Sequence, residues 1–258
     1  MNLDGSVVIV TGSATGLGAA VAKAAAAKGS NVVINYTKSE SEALETAALC
    51  GELGVEALLC RADVSVDEDC RRMVSETFAK WGRVDGLVNN AGITVFASST
   101  DLESLSAEDF LRTYSVNTVG TYQMTRAAAP HLKALGQGAV VNVSSISAMT
   151  GAGSSIAYTA SKAALNNMTL ALARALAPEV RVNTVCPALF ESRWWSDGLG
   201  QERSDKLREQ FIEAVPLKAA ATAASIADTI MWLLEGAGFI TGETLMIDSG
   251  MHLLGFQP

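Results

Sequence analysis

The 258 residues are 49 % apolar but only 6 % aromatic, so the expected interior is built from Ala, Val, Leu and Ile, and the length suits one α/β domain over 1–258. With 27 acidic against 19 basic residues the formal charge is −8 and Lys and Arg are scattered, which argues against nucleic acid or an anionic membrane as a partner. No apolar run approaches a membrane span, and Met1-Asn2-Leu3-Asp4-Gly5 lacks the basic end and cleavage site of a secretory signal, so a soluble, cytoplasmic protein is expected. Cys50, Cys60, Cys70 and Cys186 form no Cys-x-x-Cys pair and read as buried thiols. His131 and His252 stand far from any Cys or carboxylate pattern, and no Gly-x-Ser-x-Gly elbow occurs; neither a metal site nor a Ser-His-Asp triad is expected.

Ser6 to Val10 is a continuous apolar run, as in a strand buried on both faces of a parallel sheet. It leads into Thr11-Gly12-Ser13-Ala14-Thr15-Gly16-Leu17-Gly18 and an Ala-rich helix stopping at Gly29. Glycines at 12, 16 and 18 allow a tight turn, close approach of a phosphate and close helix–strand packing, while the helix start offers N–H groups to a pyrophosphate. A second strand, Asn31 to Tyr36, ends in Tyr36-Thr37-Lys38-Ser39 with no acid before Glu40. Hydroxyls plus Lys38 suit a 2′-phosphate, so NADP(H) is expected ahead of NAD(H).

Ser39 to Gly54 predicts a helix, Val55 to Arg61 a strand running into Asp63-Val64, and Ser65 to Gly82 a further helix. Val84 to Val88 leads into Asn89-Asn90-Ala91-Gly92, a strand end turning at glycine. Ser106-x-x-Asp109 reads as the capping box of one long helix to about Leu135. Asn117, a poor helix former, lies inside it, either as a plain surface residue or as the site of a local bend. Val140 to Val143 is the next strand, followed by a small-residue loop and a helix from Ser155 to about Ala177. Val180 to Val185 and Thr244 to Ile247 are the last strands, with a helix at Thr222 to Gly236 between them. Leu189 to Val215, with Trp194 and Trp195, reads as a substrate flap. The alternation predicts a Rossmann-like, doubly wound parallel sheet with helices on both faces.

Chemistry gathers between Ser144 and Lys162. Tyr158 and Lys162 are four apart and share a helical face. A free tyrosine, with a pKa of about 10, transfers protons poorly near neutrality, and a fixed ammonium within a few Å is expected to lower it. Ser145 at the preceding strand end stands ready to hold a substrate carbonyl or alkoxide beside the phenol. Taken alone, a Tyr/Lys pair at this spacing reads as an ordinary helix-surface contact, because the pattern is short and both residues are common.

Together these stretches resemble the short-chain dehydrogenase/reductase family over essentially the whole chain: Thr11-Gly12-x-x-x-Gly16-x-Gly18, Asn89-Asn90-Ala91-Gly92, Asn117, Ser145 thirteen residues before Tyr158, and Tyr158-x-x-x-Lys162. The resemblance implies a catalytic tetrad in which Tyr158 is the general acid/base, Lys162 lowers its pKa and binds the nicotinamide ribose, Ser145 polarises the substrate oxygen, and Asn117 holds a relay water through its main chain. It implies cofactor contacts from Gly12, Ser13, Thr15, Gly16, Leu17 and Gly18, from Tyr36, Thr37 and Lys38, and from Asp63 and Val64 beside the adenine. Asn90, Ala91 and Gly92 would lie along the cofactor, and Pro187, Phe190 and Ser192 at the carboxamide. The family's usual Pro-Gly is Pro187-Ala188 here, and its usual Thr is Ser192. A homo-oligomer, commonly a tetramer through the helices bearing Asn117 and Tyr158, is also implied.

The expected activity is metal-free, reversible hydride transfer between NADP(H) and a small ketone or secondary alcohol. The walls expected for the substrate are Thr94 to Phe96, Ser147, Gly151 to Ser155, Trp194 and Trp195, small or apolar and without clustered cations. Reduction of 3-oxoacyl groups on acyl-carrier protein is a second reading. That acidic partner needs a basic landing surface, whereas the relevant helix ends read Gly136-Gln137-Gly138 and Glu179. A non-catalytic NADP-binding sensor or scaffold is a third reading, against which stand Ser145, Tyr158 and Lys162.

Overall fold

Val7–Val10 (β1) is buried along its whole length and pairs in parallel with a strand on each side. The computed structural model describes residues 1–254. Seven parallel strands are ordered β3-β2-β1-β4-β5-β6-β7. They are β1, β2 (Asn31–Tyr36), β3 (Ala57–Arg61), β4 (Gly86–Asn89), β5 (Gly138–Val143), β6 (Val180–Pro187) and β7 (Thr244–Ile247). The helices are α1 (Gly16–Ala27), α2 (Glu40–Glu52), α3 (Asp67–Trp81), α4 (Ala107–Tyr114), α5 (Thr121–Ala134), α6 (Ser147–Thr150), α7 (Ile156–Leu176), α8 (Arg193–Leu199), α9 (Gln201–Ala214) and α10 (Ala223–Glu235). The predicted fold class is the observed one.

Successive strand residues face opposite sides, which divides the interior in two. Val8, Val10, Val32 and Ile34 pack with Leu17 and Val21 of α1 and Ile226 and Ile230 of α10. Ile9, Val33, Leu87 and Val140 pack with Met73 of α3 and Met124 and Leu132 of α5. The chain winds outward from β1 to β3, then restarts on the other side with β4, so a crevice opens beyond the C-terminal ends of β1 and β4.

Ladder pairing sets the strand limits and moves several of them. β6 runs on to Pro187 because Ile247 pairs with it, β5 begins at Gly138 opposite Val180, and β3 begins at Ala57 rather than Val55. The long helix expected from Ser106 to Leu135 is instead α4, a π-helical stretch at Ser115–Gly120, and α5. The Ser106/Asp109 capping box does start it. The wide turn is pressed against the loop after β3: a Cβ on Gly120 would stand 2.8 Å from Val64 Cγ2.

His252, expected far from carboxylates, has Nδ1 2.8 Å from Asp248 Oδ2 at helical spacing, and His131 stacks on Phe78 with centroids 4.4 Å apart. All four cysteines are buried free thiols. Among the described residues, no helix is long and apolar enough to cross a membrane.

Candidate active site

The glycine-rich turn lies between β1 and α1. Gly12 and Gly16 have φ of 61° and 59°, left-handed values that favour glycine. Gly18 is required by contact: a Cβ there would lie 2.3 Å from the Gly12 carbonyl oxygen and 2.6 Å from Asn90 Nδ2. Asn35, in the middle of the sheet, is a positioning residue that sequence reasoning missed. Its Oδ1 accepts the Gly12 N–H at 2.9 Å and its carbonyl the Ser13 N–H at 2.9 Å. The polar residue inside the apolar run of β2 was the available signal. The Ser13 hydroxyl donates to the Val10 carbonyl at 2.7 Å, so Ser13, one of the expected cofactor contacts, has no free donor.

Asn90 Nδ2 donates to the Thr11 and Gly12 carbonyls, each at 3.0 Å, and Thr11 Oγ1 accepts the N–H groups of Asn90 and Ala91. Thr15 holds the N-cap position of α1 without making a side-chain cap. The first bond of that helix runs from Ala19 N–H to the Thr15 carbonyl, leaving the N–H groups of Gly16, Leu17 and Gly18 uncapped at the crevice. Further along the edge, the Tyr36 hydroxyl donates to Glu40 Oε1 at 3.2 Å, while Thr37 and Lys38 are exposed. Asp63 turns its carboxylate to Ser65, accepting the backbone N–H at 2.9 Å and the hydroxyl at 2.7 Å, and the Val64 side chain is buried against Gly120.

The candidate catalytic corner lies beyond β5. Ser145 Oγ is 3.0 Å from Ser147 Oγ and accepts the Ser147 N–H at 3.1 Å, an arrangement created by the short helix α6 where only a loop was expected. Ser155 caps α7 by accepting the Tyr158 N–H at 3.2 Å, which fixes Tyr158 in the first turn. Lys162 Nζ donates to the Val143 carbonyl at 2.8 Å and lies 5.7 Å from the Tyr158 ring centroid.

Asn117 is fully buried in the π-helical stretch, so its reading as a surface residue gives way to the local bend. Its Nδ2 donates to the Ile93 carbonyl at 3.0 Å and to Ser161 Oγ at 2.9 Å, and Ser161 Oγ donates to the Tyr158 carbonyl at 2.7 Å. Gly92 completes the group: a Cβ there would sit 3.4 Å from Asn117 Oδ1 and 3.5 Å from Lys162 Nζ.

Burial dominates the electrostatics of this corner. Desolvation pushes the Tyr158 phenol up to about 12, with the Ser145 hydroxyl pulling it partly back, and pushes the Lys162 ammonium down to about 8. The expected lowering of Tyr158 by Lys162 is therefore absent with protein groups alone: the lysine is held on the Val143 carbonyl and is itself desolvated. The sign of the pH effect on stability follows. Between about pH 8 and 10.5 the unfolded chain binds the lysine proton and the folded one does not, so this group adds stability as pH rises through that window. Lys162→Met is expected to raise the urea midpoint at pH 7 and to remove that part of the rise, measured against wild type without added nucleotide.

The segment from Leu189 to Val215 forms α8 and α9, joined at Gly200. Both tryptophans face inward. The Trp194 ring is 5.7 Å from that of Tyr158, tilted by 55°, and Trp195 meets Phe96 edge-on at 5.9 Å. Phe190 forms an isolated parallel bridge with Ala221 at the base of this segment. Beside it, Thr94 Oγ1 and Ser154 Oγ are 2.6 Å apart.

A family model described as enoyl-(acyl carrier protein) reductase matches residues 12–252. A protein provisionally named ketoacyl reductase 2 of the granaticin polyketide synthase from Streptomyces violaceoruber is 39 % identical over 97 % of this chain and 98 % of its own. A crystal structure from Burkholderia xenovorans, provisionally classed as a short-chain dehydrogenase/reductase, superposes with a TM-score of 0.89 at 38 % identity, over 96 % of this chain and 98 % of that one. NAD+-bound xylitol dehydrogenase superposes with a TM-score of 0.87 at 26 % identity, over 97 % and 100 % of the two chains. This chain belongs to the short-chain dehydrogenase/reductase family.

Within that family it is an NAD(P)-dependent oxidoreductase. The protein's own atoms fit the dinucleotide. The uncapped start of α1 suits a pyrophosphate, and Gly16, with no atom within 4 Å of a Cβ built there, leaves the approach open. At the other end of the crevice, Ser192 Oγ is buried without a hydrogen-bond partner, a polar atom that a carboxamide group would satisfy. Pro187 is anchored by its carbonyl, which accepts the Ile146 N–H at 3.0 Å, and Ala188 by its N–H, which donates to the Ile247 carbonyl at 3.0 Å.

Proposed function

We propose that this short-chain dehydrogenase/reductase interconverts a ketone and a secondary alcohol, with Tyr158 as general acid/base and NADP(H) as the preferred cofactor. The observation that carries this reading is the meeting of Ser145, Tyr158, Lys162 and Asn117 in one buried corner beside the uncapped start of α1. Bound nicotinamide supplies the hydride donor or acceptor. In the reductive direction Tyr158, held protonated by its surroundings, gives its proton to the carbonyl oxygen, and Ser145, turning its hydroxyl away from Ser147 Oγ, donates a hydrogen bond to the same oxygen. In the oxidative direction the phenol must first lose that proton, and a charged Lys162 favours the phenolate. Asn117 holds the first turn of α7 through Ser161 and so keeps Tyr158 in place. Steady-state assay of a panel of ketones and secondary alcohols with each nucleotide tests the reading, and absence of turnover across the panel would end it.

The NADP(H) preference rests on the end of β2. Glu40 is engaged by the Tyr36 hydroxyl, whereas Lys38 is exposed and makes no ion pair among the described residues, leaving its charge for a 2′-phosphate. Lys38→Ala is expected to weaken NADPH binding about tenfold, the scale of one charged hydrogen bond, and to leave NADH binding unchanged. Nucleotide fluorescence titration reads both, and equal loss for the two nucleotides would overturn the preference.

A homo-oligomer built on α4 and α5 is supported by their exposed Phe110, Leu111, Tyr114 and Tyr122. The unpaired thiols suit a reducing, cytoplasmic setting.

A further inference from the structure

We infer that Trp194 selects the substrate, and that the class it selects is ketones bearing a flat apolar group, aryl or fused-ring; this rests on the proposed reading of Tyr158 as the proton-transfer residue.

The first turn of α8 sends three consecutive side chains in three directions. Arg193 reaches away from the corner, with Nη2 3.6 Å from Glu42 Oε1 in the first turn of α2. Trp194 turns toward Tyr158, the two rings 5.7 Å apart and tilted by 55°. Trp195 meets Phe96, and α8 presses so closely there that a Cβ on Gly198 would stand 2.0 Å from Phe96 Cε2. The helix that carries Trp194 is therefore packed against Phe96, and Tyr158 has Lys162 and Trp194 as ring neighbours. On the proposed reading, a group attached to a carbonyl carbon at the Tyr158 hydroxyl is expected to meet that indole.

Apart from Lys162, the groups around this aromatic pair are uncharged, and the small hydroxyls among them are paired. The one ionisable neighbour that shifts either Tyr158 or Lys162 is the buried Cys186 thiol. Further along the segment, on α9, Arg208 pairs with Glu191 at 2.5 Å, and Arg203 and Lys206 stand on the same helix. The small hydroxyls nearby pair with one another, Ser145 with Ser147 at 3.0 Å and Thr94 with Ser154 at 2.6 Å. A polyhydroxylated substrate needs a row of free donors and acceptors, and a carboxylate or phosphate needs a free cation; the paired hydroxyls and the thiol named here supply neither. An indole face offers a flat apolar surface instead, and stacking on it adds to plain area burial.

The test is kcat/KM for acetophenone and for cyclohexyl methyl ketone, close in size but unlike in flatness, in wild type, Trp194→Ala, Trp194→Phe and Trp195→Ala. Comparing the ratio of the two ketones between variants cancels their different intrinsic reactivities. The aryl-to-cyclohexyl ratio is expected to fall about tenfold in Trp194→Ala, and to stay near the wild-type value in Trp194→Phe and Trp195→Ala. An unchanged ratio in Trp194→Ala overturns the inference, as does an equal fall in Trp195→Ala, which would make general ordering of α8 the cause. Turnover of neither ketone by wild type, or faster oxidation of sorbitol than reduction of either ketone, overturns the substrate class. Tyr158→Phe run in parallel separates the two levels: full activity there removes the underlying reading, whereas its loss alongside an unchanged Trp194→Ala ratio removes the substrate class alone.

Discussion

Tyr158→Phe is expected to lower turnover about 10³-fold while nucleotide affinity stays within about twofold of wild type, since positioned acid–base groups are worth 10² to 10⁴. The substitution removes one oxygen and little else. The ring keeps its packing against Trp194, Lys162 keeps its bond to the Val143 carbonyl, and Ser145 keeps Ser147. Loss of rate therefore reports on the proton and not on the architecture. Burial, which pushes the phenol up to about 12, means that no other group in the corner stands ready to donate near neutrality except Lys162, and that group is turned to Val143. Steady-state kinetics and fluorescence titration of the same preparation check both halves. Turnover within tenfold of wild type would remove Tyr158 from the role.

Gly18→Ala is expected to have the second largest effect, on cofactor binding and on the fold together. The new methyl group would lie 2.3 Å from the Gly12 carbonyl oxygen, 2.6 Å from Asn90 Nδ2 and 2.8 Å from Ser13 Cα. Two of those atoms are backbone and the third is a side chain fixed by two hydrogen bonds, so α1 itself has to lift. That lift carries the N–H groups of Gly16 to Gly18 out of register with a pyrophosphate. Dinucleotide affinity should fall about 100-fold, and overpacking of this kind costs about 1–3 kcal/mol, a drop in Tm of about 2–10 °C. Gly16→Ala is the informative contrast. No atom lies within 4 Å of its Cβ, and the cost there comes from its φ of 59° alone, about 1–2 kcal/mol. A thermal melt and an NADPH titration of both variants separate steric lifting from backbone strain. Equal behaviour of the two would mean that the close approach at Gly18 is not what shapes the crevice.

Much of the site was readable because it is local. The turn from Thr11 to Gly18 lies within one strand–helix junction, Tyr158 and Lys162 share a helical face by their spacing, and the Ser106/Asp109 box is a three-residue pattern. The His252–Asp248 pair also lies at helical spacing, and that spacing was the signal by which sequence reasoning might have found it.

By itself, then, the amino-acid order determined the alternation of strands and helices, hence the doubly wound sheet, and the residue types at the turn and in the Ser145–Lys162 stretch, because each is written in a periodicity or a spacing of a few residues. Tertiary structure alone decided the rest. Asn117 is held by Ile93 and Ser161, 24 and 44 positions away, and the π-helical stretch packs its Gly120 against Val64, 56 positions before it. The opposed shifts of Tyr158 and Lys162 come from desolvation, which exists only once α7 is packed against β5 and β6. Which way the two indoles of Trp194 and Trp195 point depends on Phe96 and Tyr158, brought to α8 from distant parts of the chain. Local spacing fixes which side chains share a face; only the folded packing fixes what they meet there and how much water they lose.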